Sequence, residues 1–508
     1  MGLLTFQAAP SCNITAGRFV VPLHSLRLNM MKQLLSAASL GLAISAFAQT
    51  PCVDGFAGGY PCSGLDLLSV RTLEELGGGA NGNDCWGWVD PSSQREFVLF
   101  GRHDGLSIVD VTDAVNPTFV GRVPTATTPS LWRDVKVHNN HAFIVSEAAN
   151  HGMQVVDLTQ VLEVTEGPEV LTPVASYIGF GNAHNIAINE QTGFAFAVGT
   201  NTAGGGLHAI DISDPAAPSV AGTNDGPYTH DAQVVLYDGP DTDYAGKEVA
   251  FCFNGSGGVA IVDVTDKSDM VQIAAFNYSQ SAYTHQGWLS EDGRFLYFND
   301  ELDESNYGNG TRTYIADVSD LDAPVVIGFY EADNTSVDHN LYVRGNKIFA
   351  SNYLSGLRVS EIGPNGSLTP YAYFDTNPDT DSVAFYGTWS NYPYFPSGNI
   401  AISCRSVGLF MVSDPTYDPT NVGQLALDET TLNAYPNPAQ SVMTLEGMPR
   451  AAFVRVVNAL GQEVVARRAV PGLTGLSFDI GHLAEGMHVV HAETKEGQVQ
   501  SVQVLIQR

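Results

Sequence analysis

Apolar residues along this chain fall in short runs rich in Val, Ile, Phe and Ala, bounded by Gly, Asn, Asp and Pro, which predicts β-strands joined by tight turns. One run recurs. It is plainest as Gly105-Leu106-Ser107-Ile108-Val109-Asp110-Val111-Thr112-Asp113 and again as Gly258-Val259-Ala260-Ile261-Val262-Asp263-Val264-Thr265-Asp266. Looser copies begin at Met153, Leu207, Thr313, Leu357 and Leu409, so seven are counted. A polar or aromatic opening precedes each copy, as at Ala183-His184-Asn185, Thr229-His230-Asp231, Thr284-His285-Gln286 and Asp338-His339-Asn340. Between opening and copy lie two β-rich runs turned by hairpin residues such as Glu291-Asp292-Gly293. A turn, often Asp-x-x-x-Pro, and a fourth run such as Pro324-Val325-Val326-Ile327-Gly328-Phe329-Tyr330 follow. Four short strands at a period of roughly 40–50 residues predict the blade of a β-propeller.

Seven blades fit residues 84–414. The seventh copy runs into the Pro-rich Asp414-Pro415-Thr416-Tyr417-Asp418-Pro419 without a convincing fourth strand, while Leu67-Leu68-Ser69-Val70-Arg71-Thr72-Leu73 resembles a fourth strand with nothing before it. That orphan is expected to pair into blade seven and close the ring, which removes exposed sheet edges. A solenoid is the structural alternative, and it leaves the orphan unexplained. Residues 415–433 read as a polar linker. From Ala434-Tyr435-Pro436-Asn437-Pro438 onward, alternating runs such as Ala452-Phe453-Val454-Arg455-Val456-Val457-Asn458 predict a small β-sandwich over 434–508. The expected fold is all-β: a seven-bladed β-propeller followed by a small C-terminal β-sandwich.

Composition narrows the setting. There are 54 acidic against 23 basic residues, a net charge of −31, so nucleic acid and anionic membranes are poor partners. With 508 residues, 44% hydrophobic, the chain can bury a large core. Met31-Lys32, an apolar run from Leu34 to Phe47 and Ala46-Phe47-Ala48 predict an export signal over 1–48, cleaved before Gln49. Translation is expected to start at Met30 or Met31, which leaves Cys12 out of the mature chain, and the run is too short for a permanent transmembrane anchor. Residues 49–83 then form a Cys-containing segment with the ring-closing strand. Export permits disulfides. Cys52 and Cys62 bracket a short Gly-rich loop and are the candidate pair; ring closure also offers Cys85 and Cys404, and Cys252 reads as a buried thiol.

Two resemblances add to this reading. Tyr435-Pro436-Asn437-Pro438, Leu460-Gly461-Gln462-Glu463-Val464, Leu483-Ala484-Glu485-Gly486-Met487-His488 and a last strand ending in Gln507-Arg508 resemble the C-terminal sorting domain of the type IX secretion system, with His488 where the family usually has an aromatic. The resemblance implies transport across the outer membrane of a Bacteroidota-type bacterium, loss of the module, and release or anchoring at the cell surface, with the secretion machinery as partner. Residues 52–414 resemble the choice-of-anchor B family of Leu-Val-Ile-Val-Asp (LVIVD) repeat propellers. The match runs through Tyr60-Pro61-Cys62, Trp86-Gly87-Trp88, Tyr237-Asp238-Gly239-Pro240-Asp241-Thr242-Asp243-Tyr244, His285-Gln286-Gly287-Trp288, Asp338-His339-Asn340-Leu341-Tyr342 and Gly387-Thr388-Trp389-Ser390-Asn391-Tyr392-Pro393. That family implies a surface location and no particular reaction.

Candidate chemistry gathers where first strands begin and second strands end, because both lie at one mouth of a propeller channel. His184, His230, His285 and His339 hold equivalent openings, with Arg133 before them; Asp231 adjoins, and the second-strand exits bring Glu147, Asp300 and Glu301. Neutral imidazole and carboxylate suit a divalent metal. The competing reading, which a repeated residue in a repeated position favours, is that each His donates to a backbone carbonyl of its neighbour and locks blade packing. Asp238, Asp241, Asp243 and Glu248 offer oxygen ligands for a structural calcium, or form a solvated acidic turn. Trp86, Trp88, Trp288 and Trp389 stand near strand openings and suit sugar stacking or packing between blades. No Gly-x-Ser-x-Gly elbow, phosphate-binding Gly-rich loop or His-Glu-x-x-His helix occurs. Two function classes remain: a non-catalytic surface module binding a protein or glycan, and a metal-dependent hydrolase or lyase working at the channel mouth.

Overall fold

The computed structural model describes residues 49–417 and 432–507, apart from 166, 447–451, 459–461, 471–474 and 494–498. The export signal, Cys12, most of the linker and the Leu460-Gly461 turn lie outside the described residues.

The described chain is all-β, built largely of four-stranded antiparallel sheets. The first sheet runs Gly82–Val89, Glu96–Arg102, Gly105–Asp110 and Thr118–Pro124, with Glu169–Val170 added in parallel at its outer edge. The second takes Arg133–His138, His141–Ser146, Met153–Asp157 and Ala175–Tyr177; the third Asn185–Asn189, Phe194–Val198, His208–Asp211 and Ser219–Thr223. The fourth is Asp231–Leu236, Glu248–Phe253, Val259–Asp263 and Val271–Phe276, and the fifth Thr284–Leu289, Phe295–Asp300, Arg312–Asp317 and Val325–Glu331. The sixth, Leu341–Arg344, Lys347–Asn352, Gly356–Ile362 and Leu368–Phe374, is extended by Tyr60–Ser63 and Phe56–Ala57. In the seventh, Thr388–Tyr392, Asn399–Cys404 and Gly408–Ser413 are joined by Asp66–Thr72, which pairs antiparallel with Gly408–Ser413.

The repeated sequence run is the third strand of each sheet, and its residues explain its recurrence. Leu106 and Ile108 join one core, which includes Val135 and Ile144 of the second sheet; Val109 and Val111 join another, which includes Ala401 and Met411 of the seventh. Both faces of these strands are therefore buried, and alternation sends successive residues to opposite neighbours. Such cores link each sheet to the next through to the sixth and seventh, and the seventh to the first. The Asp that ends the run turns the chain. The carboxylates of Asp110, Asp157, Asp211, Asp263 and Asp317 each accept from the backbone N–H two residues on, an Asx turn that stops the strand.

Cys52 and Cys62 form a disulfide that ties down the segment ahead of the orphan strand. Cys85 and Cys404, by contrast, are buried free thiols, as is Cys252. Strand alternation separates them: Cys85 packs between the seventh and first sheets, while Cys404, in step with Ile400 and Ile402, packs between the sixth and seventh.

Beyond the linker, Asn433–Tyr435, Val442–Glu446 and Gly475–Asp479 make a three-stranded sheet, and Glu463–Val470, Ala452–Asn458, Gly486–Glu493 and Val499–Ile506 a four-stranded one. Met443 and Leu445 of the first share one core with Val454, Val456, Val490 and Val504 of the second.

Candidate functional site

In four consecutive sheets the residue at the opening of the first strand is histidine, half-buried at His184 and buried at His230, His285 and His339, and the four rings stand in a row. The rings of His184 and His230 lie 4.1 Å apart, those of His230 and His285 4.3 Å, and those of His285 and His339 4.2 Å. Trp389, opening the seventh sheet, continues the row 4.8 Å from His339. Their nitrogens are differently committed. His184 Nδ1 is 2.6 Å from Glu147 Oε1. His230 Nδ1 donates to the His285 carbonyl at 3.1 Å, and His339 Nδ1 to the Trp389 carbonyl, each in the following sheet. His285 Nδ1 has no hydrogen-bond partner among the described residues. Burial, reinforced by neighbouring imidazoles, pushes His230 and His285 well below the ordinary histidine range, and burial brings His339 down to about 3, so all three are neutral at pH 7.

Glu301 completes the group. Its Oε2 lies 4.0 Å from His285 Nε2 and its Oε1 3.8 Å from His339 Nε2, while Tyr353 donates to Oε1 at 2.7 Å. Burial raises its carboxyl to about 7.

The other sequence candidates are placed elsewhere. Asp300 is a scaffold residue: its oxygens accept from Tyr278 Oη (2.6 Å) and from the N–H groups of Ala282 (2.7 Å), Tyr283 (2.7 Å) and Leu302 (3.1 Å). Arg133 reaches the Arg102 carbonyl, Thr125 and His151 and takes no part in the row. Asp231 belongs to the next layer of the channel, described below. The four candidate calcium ligands are not gathered. Glu248 is buried against Lys267 (2.6 Å) and accepts from Asn189 (2.9 Å) and Thr192 (2.7 Å) of the third sheet. Asp241 receives the Asp243 N–H (3.1 Å) and Leu321 N–H (2.8 Å) and groups with Asp320 and Asp322, and Asp238 is half-buried nearby in sequence.

One residue further along the first strands lies a constellation of which sequence reasoning named Asp231, Trp86 and Trp288 but not Lys136, Asp84 or Asp134. Lys136 Nζ is 2.6 Å from Asp134 Oδ1, 3.5 Å from Asp84 Oδ2, and 4.7 Å above the Trp86 ring, and Asp231 adds a third carboxylate within electrostatic reach. Burial raises Asp84 far above the carboxylate range and Asp231 to about 7. Burial pushes Asp134 the same way, but Lys136 and hydrogen bonds outweigh it and hold this carboxyl low. Two carboxylates sharing one ammonium cannot both ionise freely. Trp86, Trp288, Tyr342, Gln286, Asp231 and Lys136 line a cavity in this layer. Trp88, stacked on Phe97 at 4.9 Å, and Trp389 are packing residues instead. The available signal was positional: Asp84, Asp134, Asp231 and Gln286 all directly follow an opening residue.

A second group, just past the second-strand exit of the fifth sheet where the sequence already places Asp303 and Glu304, is wholly acidic. Asp303, Glu304 and Asp338 are buried with five carboxylate oxygens lacking partners among the described residues. Burial, then mutual repulsion, raises Glu304 to about 9 and Asp338 well above the usual range.

Comparison with known proteins fits these features. A secretion system C-terminal sorting domain matches residues 433–507, and the LVIVD repeat matches 101–125 and 180–225. No curated protein matches the sequence. Among solved structures the chain is similar to PorZ, a surface component of the type-IX secretion system of Porphyromonas gingivalis, at 12% identity and a TM-score of 0.40 over 84% of this chain; it spans 59% of that protein. It is also similar to the Cps50 (Swd1) β-propeller domain of Myceliophteria thermophila, at 12% identity and a TM-score of 0.43 over 68% of this chain and 98% of that one. The WD40 β-propeller domain of Doa1 gives 12% identity and 0.45 over 70% and 98%. The sorting domain implies interaction with type IX secretion machinery and export to the cell surface or the medium. No described helix is long and apolar enough to cross a membrane.

Proposed function

We propose that this chain is a seven-bladed β-propeller of the choice-of-anchor B kind, exported from a Bacteroidota-type cell by a C-terminal β-sandwich, and that it works as a non-catalytic binding module. The cycle of inter-sheet cores and the pairing of Asp66–Thr72 with the last sheet support the ring. The observation that carries the binding role is the channel cavity, where Trp86, Trp288 and Tyr342 stand beside Lys136, Asp231 and Gln286. Aromatic faces take the apolar side of a sugar ring, and carboxylate, amide and ammonium groups take its hydroxyls, so a neutral glycan is the ligand class these side chains fit. Calorimetry of the full chain against soluble neutral oligosaccharides tests the reading. Binding should weaken at least tenfold in Trp288→Ala, about 1.4 kcal/mol, with the sugar recovered intact. Unchanged affinity in that variant, or cleavage of the sugar, would refute it. The His285–Glu301–His339 group is the observation that favours the second reading, a metal-dependent hydrolase or lyase.

A further inference from the structure

Two imidazoles and a carboxylate face one another across the fifth and sixth sheets at separations that no protein contact explains. Both His–Glu301 distances, 3.8 and 4.0 Å, exceed a hydrogen bond, and each imidazole addresses a different oxygen of the carboxylate. Such gaps are close to the ligand-to-ligand edge of a metal polyhedron. Bonds of about 2.0–2.2 Å to histidine nitrogen and carboxylate oxygen set tetrahedral edges near 3.3 Å, so the two His–Glu301 edges need contract by roughly half an ångström. Ligand atoms of all three residues already lie within 4.8 Å of one another.

The tautomers suit ligation. His339 donates Nδ1–H to the Trp389 carbonyl, which leaves the Nε2 lone pair directed at Glu301. Packing and ligation thus fall on different nitrogens of one ring, and the bond that locks the sixth sheet to the seventh is the same kind of outer bond that orients metal-binding histidines. His285 is 2% exposed, and neither of its nitrogens is hydrogen-bonded to protein among the described residues. A buried imidazole without partners is costly unless something else engages it. Tyr353 donates to Glu301 Oε1, the oxygen that faces His339, and so holds the carboxylate in place. Glu301 itself keeps 17% of its side chain exposed, which leaves a coordination position toward the mouth.

We propose that His285 Nε2, Glu301 and His339 Nε2 bind one divalent transition-metal ion of the zinc class at the channel mouth. The nitrogen donors select against calcium and magnesium, which take oxygen ligands. His184 and His230 are not ligands: the Nδ1 of the one is 2.6 Å from Glu147 Oε1, and the Nδ1 of the other donates to the His285 carbonyl. The site is separate from the channel cavity and does not depend on the proposed sugar ligand.

The test is metal binding by the full chain after chelator treatment. Zinc, added against a chromophoric competitor, should bind at one equivalent per chain, and cobalt should give the visible absorption of a low-coordinate nitrogen–oxygen site. Glu301→Gln, nearly isosteric and still able to accept from Tyr353, should weaken zinc at least tenfold, and His285→Gln and His339→Gln should do the same, while His184→Gln leaves it unchanged. The zinc-dependent rise in melting temperature should vanish with the first three and persist in the last. No stoichiometric zinc or cobalt in the unsubstituted chain overturns the proposal, whatever the variants do. So does full zinc affinity in Glu301→Gln, or equal loss in His184→Gln.

Discussion

Replacing Lys136 by Met leaves the length of the side chain and removes the ammonium that stands among the carboxylates of Asp84, Asp134 and Asp231. At 2.6 Å and an effective dielectric of about 20, the Asp134 pair alone is worth roughly 6 kcal/mol in gross attraction. Asp84, 3.5 Å away, contributes less because burial keeps it largely protonated. Relaxation, water entry and proton uptake by Asp134 recover part of the loss, so the expected net cost is about 3–5 kcal/mol near pH 7.5, the range for breaking a buried pair from one side. The pH dependence follows from Asp134. Its folded carboxyl sits below the ordinary value, so the stability it provides is present above that value and is lost as pH falls through the folded one. Without Lys136 the carboxyl rises and takes up a proton on acidification, which relieves the variant but not the parent. The difference between the two should therefore shrink from pH 7.5 to pH 4.5. Urea unfolding at both values, followed by circular dichroism, measures it. A cost under about 1 kcal/mol at pH 7.5, or a gap that widens on acidification, refutes the reasoning.

Deleting residues 49–75 removes the strand Asp66–Thr72 together with the Ser69 and Arg71 hydrogen bonds to Ala114 and Pro117 of the first sheet, so the urea midpoint of the whole ring should fall; an unchanged midpoint means the strand closes nothing. Glu304 is held neutral, with a folded value of about 9 above an unfolded one near 4.3, so its favourable contribution is complete at acid pH and lost as pH rises through 9. Melting temperature should accordingly fall between pH 6 and 9 in the parent and fall less in Glu304→Gln; parallel curves would count against it. Protein collected from the surface or medium of the native host should begin at Gln49 and lack the module from about 434 onward, and an intact mass that includes Arg508 would defeat the sorting prediction.

The third strands were legible because burial on both faces forces a near-continuous apolar run, and the terminal Asp that makes the Asx turn gives that run a fixed end. Repetition then carried the reading from strand to sheet. Glu248 shows where spacing in sequence misleads. It stands close to Asp238, Asp241 and Asp243 along the chain, yet as the first residue of a second strand it turns to the preceding sheet, where Asn189 and Thr192 hold it. Glu96 occupies the same place in the first sheet and accepts from Ser397 of the seventh, so this carboxylate is a recurring clasp between neighbours. A loop-centred reading of acidic residues cannot see that role, because the partners are about 60 residues away in one case and 301 in the other.

The histidine row was legible for the same reason as the strands, since openings repeat and residue type can be compared across them. What repetition could not supply was the difference between equivalent members. His184, His230, His285 and His339 hold one position in four sheets, but only His285 and His339 address Glu301, because its carboxylate leaves the fifth sheet's second strand between their two first strands. Equivalence in the fold therefore predicts a shared environment and not a shared partner. The polar layer one residue further in follows the same rule: Asp84, Asp134 and Asp231 are equivalent by position, and the placement of Lys136 among them decides that Asp134 carries the charge while the other two are driven toward the protonated form. A single inserted cation breaks the symmetry that the repeat imposes.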